Sequence, residues 1–354
     1  MNGTVDKMHI KSMYRINLLS LFVLPVMLLS GAPVSADELL MKDGSRLQGK
    51  VVKKEDGILE FKTGFAGVIK VQWAEVSELH ADEPVTVMLE NDETVSAATI
   101  RNTEQETLLE SEVGEPGSSI EPDQLAFINP APWRLGEGIR WTGRVNLDLK
   151  TQRGNTDKDE FDADMEMALR RKHDRYTLRG QFEKDRNKGT VTDENWTLDN
   201  KYDYFTSKKW YYGGRLGLEH DKFSDLDLRT VVGPHIGYQF FETEAMNFNT
   251  DIGINYVDED FIEAEDDDYS ALGWYVNFDR FLIPDRIQFY HRHNGLQSFE
   301  KGSDLVINSW TGFRFPIYMG IVASTEAEIE YDGGAPDNVE KTDKTYRVKL
   351  GYQW

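Results

Sequence analysis

The last ten residues of the 354-residue chain carry the feature that most constrains its fold. In this segment apolar and aromatic side chains alternate with a second set that is mostly polar. The first set is Tyr346, Val348, Leu350, Tyr352 and Trp354, and the second is Thr345, Arg347, Lys349, Gly351 and Gln353. In a β-strand the two sets point to opposite faces. One apolar face and one polar face suit the wall of a barrel with lipid outside and a polar lumen inside.

The same alternation recurs after about residue 135 and predicts a series of strands. Between Phe161 and Leu169, for example, apolar residues alternate with mostly charged ones. We expect about twelve strands, starting near Arg140, Asp159, Arg175, Asp193, Trp210, Asp227, Met246, Asp267, Ile287, Val306, Ile321 and Asp343. An even number suits an antiparallel barrel made from one chain. One strand is less regular, because Tyr275 lies on its polar face.

The connections between these strands alternate in length. Those after the even-numbered strands are short and lie at 173–175, 207–209, 242–244, 284–286 and 316–319. Most of the others are long and hydrophilic, at 185–193, 258–268, 297–304 and 332–343, with 223–225 as a short exception. Aromatic residues cluster beside the short turns, which are typical of the periplasmic side. A secreted β-sandwich is the alternative, but it explains only the alternation and not these further signals.

Composition and charge exclude other classes of protein. The chain has no cysteine, which excludes a lipoprotein anchor and disulfide bonds. Its mean hydropathy is -0.55. Beyond the N-terminus, no stretch approaches the roughly 18 apolar residues of a spanning helix. With 62 acidic and 40 basic residues, the formal net charge is -22, which argues against nucleic acid as a partner.

The N-terminus has the pattern of a secretory signal peptide. Lys7, Lys11 and Arg15 form a basic region, residues 16–30 an apolar region, and Val34-Ser35-Ala36 a cleavage site of small residues. We therefore expect residues 1–36 to be removed on export. A membrane anchor is the alternative, although the apolar run is short for one.

Residues 37–130 predict a small periplasmic β domain made of two related units. The first unit runs from Leu39 to Leu79 and the second from Val85 to Ile128. Both contain polar turns between short apolar strands and end in an acidic, apolar segment, so SH3-like or small-barrel repeats fit the pattern. A single irregular β domain is the alternative. Pro130-Ala131-Pro132 forms the linker to the barrel at 135–354.

Several motifs of the barrel region resemble those of a known family. They are Arg153-Gly154-Asn155-Thr156, Lys201-Tyr202-Asp203-Tyr204-Phe205, Asp221-Lys222-Phe223, Leu228-Arg229-Thr230, Gly233 and Gly237-Tyr238-Gln239. Together they resemble the salt-induced outer membrane protein family (YdiY-like) over roughly residues 135–354. The resemblance implies an outer-membrane barrel whose molecular activity is not assigned. It does not extend to residues 37–130.

No residue pattern points to catalysis or to a cofactor, so we expect no enzyme. His291 and His293 share one face of a strand and Ser298 is near in sequence, but this spacing cannot form a catalytic triad. The two histidines also lack a third metal ligand. The acidic run 258–268 is rich in the oxygen ligands of Ca²⁺ and Mg²⁺, yet it lacks the spacing and the glycine of a calcium loop. The sequence leaves two interpretations of this run open: a solvated external loop, or a loop that divalent cations bridge to lipopolysaccharide. Whether the run binds a metal stays unknown.

The polar faces of the strands predict the lumen. Its charged residues are Asp162, Asp164, Glu166, Asp199, Lys201, Asp203, Glu326, Glu328, Glu330, Arg144, Arg170, Arg179, Arg215, Arg229, Arg347 and Lys349. Side chains can fill a barrel of about twelve strands, since wide aqueous channels come with sixteen or more. We therefore predict a narrow or plugged lumen held by ion pairs. The family resemblance implies an envelope-integrity or stress-adaptation role, which is the function that we expect. The alternatives are a small cation-preferring channel, an outer-membrane hydrolase and a secreted acidic binding module.

The expected location is the outer membrane of a Gram-negative bacterium. Membrane lipid and lipopolysaccharide are then partners of the barrel, and a periplasmic partner is expected for residues 37–130. Tyr352 and Trp354 end an amphipathic strand, which is the kind of feature that barrel-assembly machinery is expected to recognise.

Overall fold

A computed structural model describes residues 36–111, 117–154, 157–302, 304–335 and 340–354. The predicted signal peptide therefore lies outside the described residues, except for Ala36. Asn155 and Thr156 of the first family motif and residues 336–339 of the last predicted connection also lie outside them. The part of the chain that the structure describes holds no helix whose length and hydropathy would let it cross a membrane.

The N-terminal domain is an antiparallel sheet of nine strands. They are β1 (Asp37–Met41), β2 (Arg46–Glu55), β3 (Ile58–Thr63), β4 (Gly67–Gln72), β5 (Val76–Leu89), β6 (Thr94–Asn102), β7 (Thr107–Glu110), β8 (Ser118–Ile120) and β9 (Leu125–Ile128). The strand order is β4-β3-β2-β1-β5-β6-β7-β8, and β9 pairs with β2 and β5. One-turn 3₁₀ helices precede β5 and β9, at Trp73–Glu75 and Pro122–Gln124.

Both halves of this domain have the same order of elements. In the first half, strands β1 to β4 are followed by a 3₁₀ helix and then by β5, which pairs with β1. In the second half, the second part of β5 and strands β6 to β8 are followed by a 3₁₀ helix and then by β9, which pairs with that part of β5. The halves share one hydrophobic core, in which Leu59 and Phe61 of the first half and Ile100 and Leu125 of the second are buried. The long strand β5 joins them, so they form one body.

The second region is a closed barrel of twelve antiparallel strands. They are β10 (Arg140–Gln152), β11 (Lys158–Arg170), β12 (Asp174–Asn187), β13 (Thr190–Phe205), β14 (Trp210–Asp221), β15 (Leu226–Glu242), β16 (Met246–Phe261), β17 (Asp267–Ile283), β18 (Ile287–Ser298), β19 (Leu305–Tyr318), β20 (Ile321–Asp332) and β21 (Thr342–Gln353). Each strand pairs with its neighbours in sequence, and β21 pairs with β10. The predicted all-β, up-and-down barrel of about twelve strands is confirmed, because alternation and turn positions were sufficient to count the strands.

Closure of the barrel depends on the end of the last strand. The register between β10 and β21 runs from Arg144 opposite Gln353 to Leu147 opposite Leu350. Beyond it, the backbone N–H groups of Gly143 and Trp354 each donate to the other residue's carbonyl oxygen at 3.1 Å. The Trp354 ring lies directly over Gly143, where a Cβ atom would be 2.3 Å from the ring. Gly143 therefore allows the terminal tryptophan to pack across the seam.

The faces of the barrel have the predicted polarity. On β21 the outward residues are exposed, with Val348 at 72%, whereas the inward Lys349 is 5% exposed. The aromatic residues beside the short turns form a continuous chain of ring contacts across six strands, with centroid distances of 4.5–6.0 Å. The chain runs through Trp210, Tyr238, Phe240, Phe248, Phe278, Phe289 and Phe313. Such a belt is typical of a membrane interface.

Two of the predicted long connections are wrong. The connection placed at 185–193 is a two-residue turn, Lys188-Gly189, in which both residues have positive φ. The acidic run 258–268 lies mostly in strands, because β16 continues to Phe261 and β17 starts at Asp267. The backbone ladder can extend beyond the apolar belt, since a strand with water on both faces needs no apolar side chains. The polarity of the side chains therefore predicted where the apolar belt of the barrel ends, but not where each strand ends.

Candidate functional site: the barrel lumen

The lumen is held together by several groups of oppositely charged side chains. One group surrounds Asp203, which is fully buried. Its carboxylate accepts hydrogen bonds from Arg175 Nε at 2.7 Å and pairs with His235 Nε2 at 2.7 Å and Lys201 Nζ at 3.3 Å. Lys201 also donates to Asp251. The neighbouring strands β12, β13, β15 and β16 are thereby linked on the inside of the barrel.

A second group gathers arginines around Glu166. Its carboxylate accepts from Arg144 at 3.0 Å and from Arg179 at 3.0 Å, and it also pairs with Arg292. Arg179 in addition donates to the Tyr275 hydroxyl, which explains why a tyrosine stands on the polar face of β17. Beside this group, Arg314 pairs with Asp279 at 2.6 Å.

Two further groups lie toward the opposite end of the lumen. Arg229 pairs with Glu219 at 3.2 Å, Glu259 at 2.5 Å and Asp332 at 2.6 Å. On β21, two cations point into the lumen and also have carboxylate partners. Arg347 pairs with Asp162, Glu183 and Glu328, and Lys349 pairs with Asp164 and Glu326. Ion pairs therefore cross the lumen at several levels.

The lumen is divided into cavities in series. The largest has a volume of about 770 Å³ and lies at the end with the short turns. Arg179, Tyr275 and Arg292 separate it from a cavity of about 150 Å³. Glu219, Arg229 and Glu330 separate that one from an outer cavity of about 60 Å³. We call the largest cavity the inner chamber.

The linker lines the mouth of the inner chamber. A one-turn helix, α1 (Pro132–Leu135), carries Trp133, which is buried. The guanidinium groups of Arg134, Arg140 and Arg170 lie 4.4, 4.6 and 5.0 Å from the Trp133 ring. Glu242 accepts hydrogen bonds from Arg140 at 2.8 Å and Arg170 at 3.0 Å. An aromatic ring between cations, with a carboxylate beside them, therefore lines this mouth.

The N-terminal domain contacts the same end of the barrel. Arg134 of the linker donates to Glu55 at 2.9 Å, and Lys70 pairs with Asp285 of a short turn at 2.9 Å. Lys208, in another short turn, donates to the backbone carbonyl of Glu90 at 2.5 Å. The domain therefore covers the end of the barrel where the inner chamber opens.

Three ionisable groups of the domain, Lys53, Lys54 and Glu55, line the inner chamber. Lys54 donates to the carbonyl oxygens of Leu125 at 2.5 Å and Ala126 at 3.0 Å, and burial lowers its pKa to about 8. Burial also raises the pKa of the neighbouring Glu55 carboxyl, although the Arg134 guanidinium opposes this shift. Both shifts follow from removing a charge from water.

The predicted luminal charges lie on the inside of the barrel, but several partners were not predicted. Arg175, His235, Arg292, Arg314 and Glu242 were missed. Their positions follow the same alternation as their neighbours, so counting every second residue through β18 and β19 would have found Arg292 and Arg314. Pairings such as Glu166 with Arg292 join residues 126 positions apart, which spacing in the sequence cannot reveal.

The other candidate residues do not come together as a catalytic site. The rings of His291 and His293 are stacked at 6.3 Å, and His291 Nδ1 lies 2.8 Å from Thr311 Oγ1. Ser298 is turned to the opposite face of β18 and accepts from the backbone N–H groups of Glu300 and Lys301. Within the described ranges, no group of three or more His, Asp or Glu side chains is placed to hold a metal ion.

The fold and the lumen define the class of the protein: a twelve-stranded β-barrel of the outer-membrane type with an N-terminal β domain. The chain belongs to the family described as "Protein of unknown function, DUF481", whose model matches residues 145–354. Among curated proteins, none matches the chain.

Several solved structures have a similar fold and a low sequence identity to this chain. The NanC porin is 9% identical with a TM-score of 0.39, covering 60% of this chain and 100% of the porin chain. The outer membrane channel DcaP of Acinetobacter baumannii is 12% identical with a TM-score of 0.29, covering 77% and 94%. The beta domain of the Bordetella autotransporter BrkA is 10% identical with a TM-score of 0.29, covering 61% and 98%. Likenesses this distant carry no argument about function.

Proposed function

We propose that this protein is an outer-membrane barrel with a closed lumen, which serves envelope integrity or stress adaptation and is neither a general porin nor an enzyme. The crossing ion pairs carry the proposal. Glu166 of β11 pairs with Arg292 of β18, and Arg229 of β15 pairs with Asp332 of β20, so distant parts of the wall are tied across the space that a solute would have to pass. Moving a solute through would require breaking buried ion pairs, each costly to separate in a shielded lumen.

The proposed orientation has the N-terminal domain in the periplasm. Short turns are typical of the periplasmic end of a barrel, and the domain contacts these turns through Lys70 and Lys208. The domain and Trp133 then form a lid below the lumen. The resemblance to the salt-induced outer membrane protein family is consistent with an envelope role and stays part of this proposal.

Outer-membrane lipid, lipopolysaccharide and the barrel-assembly machinery are the proposed partners, the last through the strand that ends in Trp354. A further periplasmic partner of residues 37–130 is also proposed. Divalent cations bridging external acidic residues to lipopolysaccharide would add to the first two contacts. Thermal stability and lipid association that do not change on chelation would contradict this bridging.

A small cation-preferring channel is the second candidate, and one observation favours it. Seven acidic but only two basic residues line the outer cavity: Glu219, Asp221, Glu259, Glu330, Asp332, Glu340 and Asp343 against Arg229 and Lys341. In the lining of the inner chamber, basic residues outnumber acidic ones. A cation that entered from outside would therefore meet an unfavourable field before leaving.

Two measurements test the proposal. We expect the tagged protein in the outer-membrane fraction, with a heat-dependent shift in gel mobility that reports a folded barrel. In planar bilayers we expect no steady, discrete conductance from the full chain. A soluble protein without the shift would contradict the barrel in the membrane. A steady cation-selective conductance would instead favour the channel.

A further inference from the structure

The inner chamber has a charge opposite to that of the whole chain. The chain has a formal net charge of -22. Among the described residues that line the chamber, however, eleven are basic and six are acidic. The basic ones are Lys53, Lys54, Arg134, Arg140, Arg144, Arg170, Arg175, Arg179, Lys201, Arg292 and Arg314, and the acidic ones are Glu55, Glu137, Glu166, Glu242, Glu244 and Asp279. A cationic cavity inside an acidic protein is an unusual local arrangement that calls for a physical reason.

The cationic excess is concentrated where the chamber meets the next cavity. Four arginines line the chamber near that boundary, and three carboxylates pair with them. The arginines are Arg144, Arg179, Arg292 and Arg314, and the carboxylates are Glu166, Asp279 and Asp199, the last of which lies 3.9 Å from Arg179 and also pairs with Arg215. This cluster, which we call the arginine cluster, therefore has more positive than negative charges. Arg144 and Arg314 are 8% and 4% exposed, so water compensates little of their charge.

The arginine cluster also contains hydrogen-bond donors without acceptors. Within the described residues, Arg144 Nε and Arg314 Nη2 are buried and have no hydrogen-bond partner. Arg140 Nε, at the mouth of the same chamber, is also buried and has no hydrogen-bond partner among the described residues. A buried donor without a partner costs about 1–3 kcal/mol, and more when it is charged. Arg144 and Arg314 each pair with one carboxylate, yet each also keeps a buried N–H donor that no side chain of the described residues accepts.

We propose that the inner chamber is a binding site for a small, multiply charged oxyanion, a phosphate or a polycarboxylate, held by Arg144 and Arg314. Planar guanidinium groups match the oxygen geometry of phosphate and carboxylate groups, and the negative charges of such a ligand would offset the excess of basic residues that line the chamber. The chamber volume of about 770 Å³ falls within the range of small-molecule sites, roughly 300–1,000 Å³. A soluble solute fits this site better than a lipid headgroup, because the strands enclose the chamber and leave no lateral path for acyl chains.

The inference deepens the proposed function and rests on it, because the chamber exists only in the folded barrel. A bound oxyanion would add a further set of ion pairs across the lumen and so hold the barrel closed. It would enter from the end that Trp133 and the N-terminal domain cover. The binding step itself does not require transport through the barrel.

The test is isothermal titration calorimetry of the detergent-purified full chain, with inorganic phosphate and with citrate as probes at physiological ionic strength. We expect saturable binding of one probe molecule per chain for at least one of them. The double variant Arg144→Gln/Arg314→Gln should weaken this binding at least tenfold. Arg314→Lys keeps the charge but loses the planar donors, so it should give an intermediate loss and serves as the variant if the double change does not fold.

Arg347→Gln is the matched control. Arg347 is also a luminal arginine, but it pairs with three carboxylates and lines a different cavity. We expect this variant to bind the probes as the original chain does. Equal losses in Arg347→Gln and in Arg144→Gln/Arg314→Gln would overturn the assignment, because binding would then depend only on overall charge.

The remaining outcomes separate the inference from the proposed function. A normal heat-dependent gel shift without saturable binding of phosphate or citrate overturns the oxyanion site and leaves the closed barrel standing. Binding that appears only with anionic phospholipid vesicles assigns the positive charge to lipid contact and also overturns the site. A purified chain without any gel shift overturns both, since the chamber requires the barrel.

Discussion

The two regions of this protein are both antiparallel β structures, but they place their apolar residues on opposite sides. In the N-terminal domain, Leu59 and Phe61 are completely buried in a shared core. In the barrel, Val348 is exposed and the neighbouring Lys349 is buried. Alternation of apolar and polar residues thus occurs in both regions and does not by itself say which face is inside. The surroundings of the sheet decide this.

The difference has an energetic origin. A sheet in water gains stability by removing apolar side chains from solvent, so its apolar face turns inward. A barrel in lipid gains nothing from this, so it depends instead on pairing its backbone groups within itself and on oppositely charged partners for most of its buried luminal charges. The domain should therefore respond most to cavities in its core, whereas the barrel should respond most to lost strand pairing and to unpaired charges.

Removing the barrel seam should have the largest effect. Deleting Tyr352–Trp354 removes two of the register pairs between β10 and β21 and the reciprocal hydrogen bonds of Trp354 with Gly143. We expect a chain that remains in the periplasm without a heat-dependent gel shift. Trp354→Phe keeps the backbone pairing and should assemble. A heat-modifiable barrel from the deletion variant would show that the seam is not required.

Loss of one luminal cation should cost about 3–5 kcal/mol, because a buried charge is left without its partner. Lys201→Met removes the cation that pairs with Asp203 and Asp251. Urea unfolding in lipid vesicles measures the free energy of unfolding. The double variant Lys201→Met/Asp251→Leu should recover part of this loss.

Lys150→Met is the control for that experiment. Lys150 pairs with Glu160 at 3.1 Å, but its side chain is exposed, so the change should cost only about 0–1 kcal/mol. Equal costs for Lys201→Met and Lys150→Met would show that burial of the luminal pairs is unimportant.

A cavity in the domain core should have the next largest effect. Leu59→Ala should lower the free energy of unfolding of the domain by about 2–5 kcal/mol, because the buried site cannot refill. Leu350→Ala on the outer face of the barrel should cost less, since lipid chains fill the space that the side chain leaves. Chemical unfolding of segment 37–130 and of the barrel in vesicles measures both. A larger loss of unfolding free energy for Leu350→Ala than for Leu59→Ala would contradict this difference between the two regions.

The smallest effect expected is the pH dependence that Lys54 gives to the domain. Burial lowers its pKa from 10.5 to about 8 in the folded state. Between these values the unfolded state binds more protons, so the free energy of unfolding should rise with pH over this window. The rise should be about 1–3 kcal/mol after allowance for partial solvation.

Unfolding of segment 37–130 at several pH values measures this rise. Lys54→Met should remove it, whereas Lys62→Met, on the exposed side of the neighbouring strand, should keep it. A profile that is the same for the original segment and for Lys54→Met would contradict the burial of a titrating amine.

The sequence was most informative where a repeated local pattern decides the structure. Each of the twelve barrel strands begins within three residues of its predicted start, because period-two alternation and turn residues act over short distances. Strand ends were less predictable, as at Lys188-Gly189, since polar residues occur equally in loops and in strands that extend into water. The resemblance to a barrel family agrees with the family match at residues 145–354, although its specific name stays a prediction.

By itself, the sequence determined the fold class, and its alternation indicated many of the side chains that face the lumen. Only the tertiary structure decided which of those side chains meet. Glu166 on β11 pairs with Arg292 on β18, and Arg144 on β10 lies in the same cluster as Arg314 on β19. Closure and curvature of the sheet bring these strands together across the lumen. The acidic excess of the chain is a sum over all residues, whereas the sign of a cavity depends on the few that line it. For this reason a strongly acidic sequence encloses a basic chamber.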